Sequence, residues 1–328
     1  MSDPPATPLN ISLAVSSEWP VALQLLFNRL DEIARPLQIA AAIEELQRTT
    51  GEAQPLFVAR RGPALVAAIW MHLMPGRVAS LWPPGIAPGE PAATATPLID
   101  FATAKAAEAD IRLIQALTDT DTGPQADWLR QSGFKYTADL LYLVSLSEKF
   151  PHVPPHTELI LEPLSETAET TVSGAQMARL AAIVQRTYVN TQDCPTIHGL
   201  RSVDDVLATY RSVGTFNPAQ WFFVRHQLRD VGCVLLANHP QHRHCELVYM
   251  GLVPEARGHG WGLEIVRYAQ WVAANSNFGE GTPGESSTQR MVLAVDAANS
   301  PAISLYAAAD FETWDRRSVF LREIPAKN

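Results

Sequence analysis

Short runs of continuous apolar residues are the strongest pattern in the second half of the chain. They occupy residues 221–224, 231–237 and 247–253, and turn-rich segments separate them. Runs of this length between turns are typical of strands that are buried on both faces. The pattern therefore predicts three consecutive antiparallel strands.

Apolar residues at helical spacing stand on both sides of these strands. Residues 176–188 and 262–274 each carry an apolar stripe with the helical period. Ser202 followed by two aspartates predicts a helix start, because such residues satisfy and complement the free N–H groups of a first turn. The other elements predicted here are strands at 158–163, 291–295 and 318–321, a helix at 300–309 and a polar loop at 275–289.

The first half of the chain shows the same order of elements in a weaker form. The pattern predicts strands at 56–59, 64–70, 78–82, 112–117 and 140–144, with helices at 92–108 and 125–131. This similarity predicts an internal repeat of one fold. A polar, proline-rich stretch divides the halves, so we expect domains at 1–147 and 158–328 joined by a linker at 148–157.

The composition fits a soluble globular protein. The chain has 328 residues, of which 47% are hydrophobic and 18% charged, and one core seldom grows to this length. Its formal net charge of −9 disfavours broad attraction to nucleic acid or an anionic membrane. Without a leader pattern or a membrane-length apolar run, we expect a cytoplasmic protein. The three cysteines lack disulfide or metal-ligand spacing, so no metal is predicted.

A glycine-rich segment follows the third apolar run directly and precedes a predicted helix. It reads Arg257-Gly258-His259-Gly260-Trp261-Gly262. Backbone N–H groups in such a place can converge on an anion, and glycine lets a pyrophosphate approach the main chain. A dinucleotide-binding fold expects alternating strands and helices with the glycines near the first strand, and a P-loop needs Gly-Lys-Ser/Thr. Neither pattern is present here.

Two motifs carry a resemblance to a known family. Arg257, Gly260 and Gly262 match the signature Arg/Gln-x-x-Gly-x-Gly/Ala, and the segment from Asn299 to Tyr306 matches Asn-x-x-Ala-x-x-Leu-Tyr. The second half therefore resembles the GCN5-related N-acetyltransferase (GNAT) superfamily. Asp310 stands where the family usually has glycine before the phenylalanine, but aspartate tolerates a left-handed conformation better than most residues.

The resemblance implies roles for the residues of these motifs. Tyr306 would be the general acid that protonates the departing thiolate of coenzyme A. Asn299 would hold the pantetheine arm. The residues expected to bind the rest of the cofactor through their backbone are Leu252, Val253, Arg257, Gly258, His259, Gly260, Trp261 and Gly262. A helix tyrosine packed in the core is the competing interpretation of Tyr306.

The acceptor side of the site is less sharply defined. Glu246 stands where some members of the family place a general base, and His244 is an alternative base; an exposed glutamate at a strand start is an equal alternative. Asp193 lies between the first two helices of this half, where the family forms its acceptor site. We expect it to bind a cationic amine, with a helix-capping aspartate as the equal alternative.

The first half resembles a degenerate GNAT copy. Residues 83–92 lack the glycine signature, and their prolines remove N–H donors that a phosphate cradle needs. Aligning Gly133-Phe134 with Asp310-Phe311 places Leu129 where the second half has Tyr306. We therefore expect this half to have lost its cofactor site.

Together, these inferences predict a tandem GNAT protein with two α/β (α+β) domains. Each domain is expected to be a twisted, mixed but mostly antiparallel sheet flanked by helices. The implied activity is N-acetyltransfer from acetyl-CoA to a primary amine of a small molecule or peptide, by direct attack. Two alternatives stay open, a larger acyl donor and a non-catalytic module that binds acyl-CoA. The acceptor and the oligomeric state are not defined by the sequence.

Overall fold

The computed structural model describes residues 8–48, 54–166, 172–197, 199–276 and 288–325. The chain forms two compact units. Met1–Thr137 and Arg317–Asn328 belong to the first unit, and Ala138–Arg316 form the second.

The described residues form twelve strands and eight α-helices. The strands are β1 (Leu9–Leu13), β2 (Leu56–Arg61), β3 (Ala64–Met74), β4 (Val78–Ile86), β5 (Leu113–Thr118), β6 (Lys135–Leu146), β7 (Leu159–Pro163), β8 (Trp221–His226), β9 (Arg229–His239), β10 (His244–Leu252), β11 (Arg290–Asp296) and β12 (Glu312–Glu323). The α-helices are α1 (Trp19–Leu26), α2 (Ala34–Arg48), α3 (Ala95–Glu108), α4 (Pro124–Gln131), α5 (Gly174–Thr187), α6 (Val203–Arg211), α7 (Trp261–Ala274) and α8 (Ser300–Ala308).

In the first unit the strands run in the order β1-β2-β3-β4-β5-β12. They pair antiparallel, except that β4 and β5 are parallel. Successive residues of β2 enter different cores: Phe57 packs in the cluster of α3 and α4, and Val58 in that of α1 and α2. Because strand side chains alternate between the two faces, both faces of this sheet are covered by helices.

The second unit repeats this arrangement. Its strands run in the order β6-β11-β10-β9-β8-β7, with β10 and β11 parallel. Phe222 packs with α7 and α8 on one face, and Phe223 packs with α5 and α6 on the other. The predictions of antiparallel strands buried on both faces and of two mixed α/β units are confirmed.

Each sheet is completed by a strand that directly follows a helix of the other unit: α4 precedes β6, and α8 precedes β12. Leu140–Leu146 of β6 pair with β11 of the second unit, whereas Ser318–Glu323 of β12 pair with β5 of the first unit. The units therefore differ from the contiguous domains 1–147 and 158–328 expected from the sequence. Alternating apolar residues show that a strand is buried, but they do not specify its partner strand.

The expected linker contains ordered structure. Residues 147–149 form a 3-10 turn, and Phe150, which is 3% exposed, packs in the core of the second unit. The strand β1 and the helices α1 and α2 were not predicted. The predicted loop at 275–289 lies mostly outside the described residues. None of the described helices combines the length and the apolar character that spanning a membrane requires.

Candidate functional site

The strands β10 and β11 separate part of the way along their length. Their parallel pairing joins His244–Glu246 to Arg290–Val292 and extends no further in the described residues. Pairing of β10 with β9 shifts register between Leu247 and Tyr249, which is a β-bulge. A bulge bends the strand that carries it, so β10 turns away from β11 and its backbone edge becomes available to a ligand.

A cavity of about 450 Å³ lies where the strands separate. It falls within the range of small-molecule sites. Its walls come from β10, β11, the end of α5 and the starts of α7 and α8. Its wall residues include Thr187, Tyr188, Asp193, Tyr249, Leu252, Arg257, Gly258, Gly260, Asn299 and Tyr306.

The predicted glycine loop forms the entry to helix α7 beside this cavity. Gly258 and Gly260 both have a φ of +82°, a conformation that side-chain-bearing residues rarely adopt, and a Cβ at either position would meet no atom within 4 Å. Helix α7 begins at Trp261, so its first N–H groups and the positive end of its dipole lie at an open surface. This arrangement can hold an anion.

Arg257 ties the loop to the neighbouring wall of the cavity. Its guanidinium donates to the carbonyl oxygens of Leu252 at 3.1 Å, Asn190 at 2.9 Å and Thr187 at 2.8 Å. These bonds join the end of β10 to the end of α5. The side chain therefore positions the cavity wall, and its signature position reflects a structural role.

Two aromatic residues of the loop stack on each other. The rings of His259 and Trp261 lie 4.7 Å apart with an interplanar angle of 21°. Trp261 is buried, and its indole N–H donates to Glu158 at 2.9 Å. His259 is exposed. Gly262 lies against Leu305, whose side chain a Cβ would overlap, so α7 and α8 approach each other closely.

The remaining predicted cofactor residues lie at the ends of strands and helices. Asn299 lines the cavity and caps α8, with its side-chain oxygen accepting from the N–H of Ala302 at 3.3 Å. Leu252 also lines the cavity. The N–H of Val253 instead donates to the carbonyl of Val231 at 3.0 Å, within the sheet.

Tyr306 is brought into the cavity by helix α8. Its side chain is 6% exposed, and its ring packs edge-on against Phe311. Burial, with a further contribution from the carboxylate of Asp193, raises the pKa of its phenol above the ordinary value. The hydroxyl therefore carries its proton at neutral pH, and in the unliganded cavity it is a weaker acid than a free phenol. Asp310 adopts the expected left-handed conformation, with a φ of +61°.

Asp193 also lines the cavity. One of its carboxylate oxygens accepts from the N–H of Asp296, at the end of β11, at 3.0 Å. The carboxylate of Asp296 in turn accepts from the N–H of Cys194 at 3.0 Å. These reciprocal bonds fix the loop after α5 to the sheet and hold an acidic group at the cavity.

The two predicted bases lie elsewhere. Glu246 is not among the described residues that line the cavity; its carboxylate lies 3.0 Å from the ring nitrogen Nε2 of His239. Burial, assisted by His239 and Arg290, lowers the pKa of His244 to about 4, so its imidazole is neutral and only weakly basic. The sequence spacing between Glu246 and Leu252 does not reveal the bulge at Leu247–Tyr249. That bulge lies between Glu246 and the part of β10 that lines the cavity.

A cluster of three tyrosines, of which Tyr188 and Tyr249 line the cavity, was not assigned from the sequence. The hydroxyl of Tyr249 lies 2.6 Å from that of Thr187, and its ring packs against those of Tyr188 and Tyr210. Burial raises the pKa of all three phenols. The signal that could have revealed the cluster is a tyrosine inside an otherwise apolar strand, since a buried phenol needs a hydrogen-bond partner.

Comparison with known proteins gives structural matches only. No family model matches the chain, and neither does any curated protein. The GCN5-related N-acetyltransferase from Sphaerobacter thermophilus superposes with a TM-score of 0.62 at 14% identity, covering 98% of this chain and 97% of that one. A tandem GNAT protein from the clavulanic acid biosynthesis pathway has a TM-score of 0.53 at 15% identity, over 98% of this chain and 100% of its own.

A third match is a GCN5-related glucosamine N-acetyltransferase region of a fungal multi-domain GH3 beta-N-acetylglucosaminidase. Its TM-score is 0.63 at 14% identity, over 98% of this chain and 38% of that one. At these identities the comparison shows the fold. The chain has the fold of the GCN5-related N-acetyltransferases, arranged in tandem.

Proposed function

We propose that the second unit is an acyltransferase that moves an acetyl group from acetyl-CoA to a primary amine. The observation that carries this proposal is that one cavity contains the open edge of β10, the glycine loop at the start of α7 and the hydroxyl of Tyr306. Those are the parts that a thioester, a pyrophosphate and a departing thiolate require. The fold is compatible with this chemistry but does not define a substrate.

The cofactor would follow the cavity from the sheet to the helix. The pantetheine amides would pair with the unpaired backbone of β10, and Asn299 would lie beside the arm. The pyrophosphate would bind at Gly258 and Gly260, where the main chain is open and the dipole of α7 favours negative charge.

The reaction would be a direct transfer between the two substrates. The neutral amine nitrogen attacks the thioester carbonyl, forming a C–N bond, and the tetrahedral intermediate collapses with cleavage of the C–S bond. Tyr306 gives its proton to the thiolate. The proton lost by the amine passes to a carboxylate group that acts as the general base. We assign that group to Asp193, because it lines the cavity whereas Glu246 does not.

In this proposal the first unit does not bind the cofactor. Its corresponding strand, β4, contains Pro83 and Pro84, which offer no N–H groups, and the sequence alignment pairs Leu129 with Tyr306. Leu129 is fully buried. The unit would support the fold without taking part in the chemistry.

The test is acetyl-CoA binding to the intact protein by calorimetry, beside a matched pair of variants. Gly260→Glu places a carboxylate in the loop, whereas Gly89→Glu makes the same change in the first unit at a glycine with a similar φ, +84° against +82°, and similarly open surroundings. We expect Gly260→Glu to weaken binding by about 100-fold or more, and Gly89→Glu to leave it unchanged, because only the former repels a bound pyrophosphate.

Each result has a definite meaning. Failure of the intact protein to bind acetyl-CoA would contradict the proposal. Binding without transfer to any amine would favour a non-catalytic acyl-CoA module, and preferred binding of succinyl-CoA would favour a larger acyl donor.

A further inference from the structure

A cluster of metal-ligating side chains lies away from the proposed transferase cavity. His239 ends β9, and His244 and Glu246 stand at the start of β10. One potential ligand atom from each lies within 4.8 Å of those from the other two. None of the three is among the described residues lining the cavity.

Strand geometry places these side chains on one face of the sheet. His239 and His244 are direct cross-strand partners, and Glu246 lies two residues further along β10. Residues two apart on a strand point to the same face. Cys245, between the two ligands on β10, is fully buried in the core on the opposite face. The sheet ladder therefore holds two imidazoles and a carboxylate together without help from a loop.

The contacts within the cluster are close. Nε2 of His239 lies 3.0 Å from a carboxylate oxygen of Glu246, and the rings of His239 and His244 are stacked 4.4 Å apart. Nδ1 of His244 is buried and has no hydrogen-bond partner among the described residues. Burying a polar atom costs free energy of folding unless a hydrogen-bond partner or a metal ion binds it.

A tight turn fixes the two strands at the point where the ligands lie. Arg243 has a φ of +51°, and its N–H donates to the carbonyl of Pro240 at 3.1 Å. Its carbonyl accepts from the N–H of Gln289 at 2.8 Å, which ties the turn to the start of β11. Ligands carried by strands are held more precisely than ligands carried by loops.

We propose that His239, His244 and Glu246 bind a divalent zinc ion. Two imidazoles and one carboxylate are a donor set that Zn²⁺ uses, and a fourth tetrahedral position would remain for water. Both histidines must present a ring nitrogen without a proton, and Glu246 exchanges its contact with His239 for the metal. This revises the expectation of no metal, which considered only the spacing of the cysteines.

The neighbourhood also contains positive charge. Arg290, on the adjacent strand β11, is the direct partner of His244 in the sheet. Its guanidinium would repel a cation bound at this cluster. Removing this charge in Arg290→Gln therefore should strengthen zinc binding, whereas a site elsewhere in the chain would not respond.

The test uses the full chain after treatment with a chelator and dialysis, with zinc chloride alone as the ligand. Competition against a chromophoric zinc indicator should give one zinc per chain, with a Kd on the order of 1 µM or lower. His244→Ala and Glu246→Gln should each weaken zinc binding by about 100-fold or more. Removing a side chain that binds the metal reduces metal affinity more than removing a side chain that only hydrogen-bonds to a metal ligand. His156→Ala, at an exposed histidine in the same unit, is the control and should bind like the parent.

Glu246→Gln keeps the size of the side chain, so it tests the site even if His244→Ala misfolds; circular dichroism would check both variants. Zinc binding that survives both substitutions, or no binding by the parent chain above the level of a nonspecific surface histidine, would overturn the proposal. The experiment measures no acyl transfer, so its outcome is independent of the proposed transferase activity.

Discussion

The two units share a frame but differ at the edge where their parallel strands separate. In the second unit the edge of β10 faces a cavity and leads to the open glycine loop. In the first unit the corresponding strand β4 contains two prolines, and Gly85 lies so close to α1 that a Cβ would overlap the carbonyl of Leu25. Gly251 of β10 lies similarly close to the side chain of Thr187 on α5, so this packing is common to both units. The units differ in the edge itself, because β10 can offer N–H groups to a ligand there whereas Pro83 and Pro84 offer none.

The loops that follow these strands differ in the same way. The helix α3 is preceded by a 3-10 turn at Ala92–Thr94, and the hydroxyl of Thr94 binds the carboxylate of Glu90. Glu90 also forms an ion pair with Arg61 at 2.9 Å. An ion pair of the protein itself thus lies near the start of α3. The two units therefore repeat one order of strands but differ in the loops that precede these helices.

The sharpest test of this difference is at Tyr306, with which the sequence alignment pairs Leu129 of the first unit. We expect Tyr306→Phe to lower kcat by about 100- to 10 000-fold, because it removes the proton donor for the thiolate while keeping the ring. Steady-state kinetics with the best amine found would measure this. The control is Tyr268→Phe on α7, outside the cavity lining, which should leave kcat unchanged. Equal activity of both variants would remove Tyr306 from the mechanism.

The next test concerns which strand completes each sheet. Phe320 on β12 is fully buried in the first unit, and Leu143 on β6 is buried in the second. We expect Phe320→Ala and Leu143→Ala each to reduce the free energy of unfolding by about 3–5 kcal/mol. The strand in which amide hydrogen exchange becomes faster shows which sheet each substitution destabilises. Exchange should increase in β5 for Phe320→Ala and in β11 for Leu143→Ala. The reverse pattern would contradict the observed strand pairing.

The pairing of β6 with β11 and of β12 with β5 could not be predicted from the sequence. The elements around the glycine loop were predictable, because continuous apolar runs and helical periods are strong there. The partner of β12 was not predictable, since the apolar run Val319-Phe320-Leu321 indicates a buried strand whichever strand lies beside it.

In the candidate site, too, some residues could be predicted from local sequence and others depend on how the strands pair. Gly260 and Tyr306 were predicted from motifs whose chemistry depends on residue type and local spacing. The position of Glu246 depends on the bulge between Leu247 and Tyr249, which is a property of how β10 pairs with β9. The cluster of three tyrosines likewise requires residues from α5, α6 and β10 to meet.

The smallest expected effect tests how closely α1 packs on the face of β4 in the first unit. Gly85→Ala introduces a Cβ that overlaps backbone atoms of α1, which cannot move without displacing the helix. We expect a loss of about 1–3 kcal/mol in the free energy of unfolding. The matched variant is Gly174→Ala, in the first turn of α5, where a Cβ meets nothing within 4 Å; it should be neutral or slightly stabilising.

Chemical denaturation measures both variants, and calorimetry with acetyl-CoA completes the comparison. Because Gly85 contacts α1 on the face of its sheet and does not line the cavity of the second unit, its substitution should leave the affinity for acetyl-CoA unchanged while the first unit loses stability. Weaker acetyl-CoA binding in Gly85→Ala would mean that the first unit contributes to cofactor binding. In that case the differences between the two units would have to be explained by a shared function.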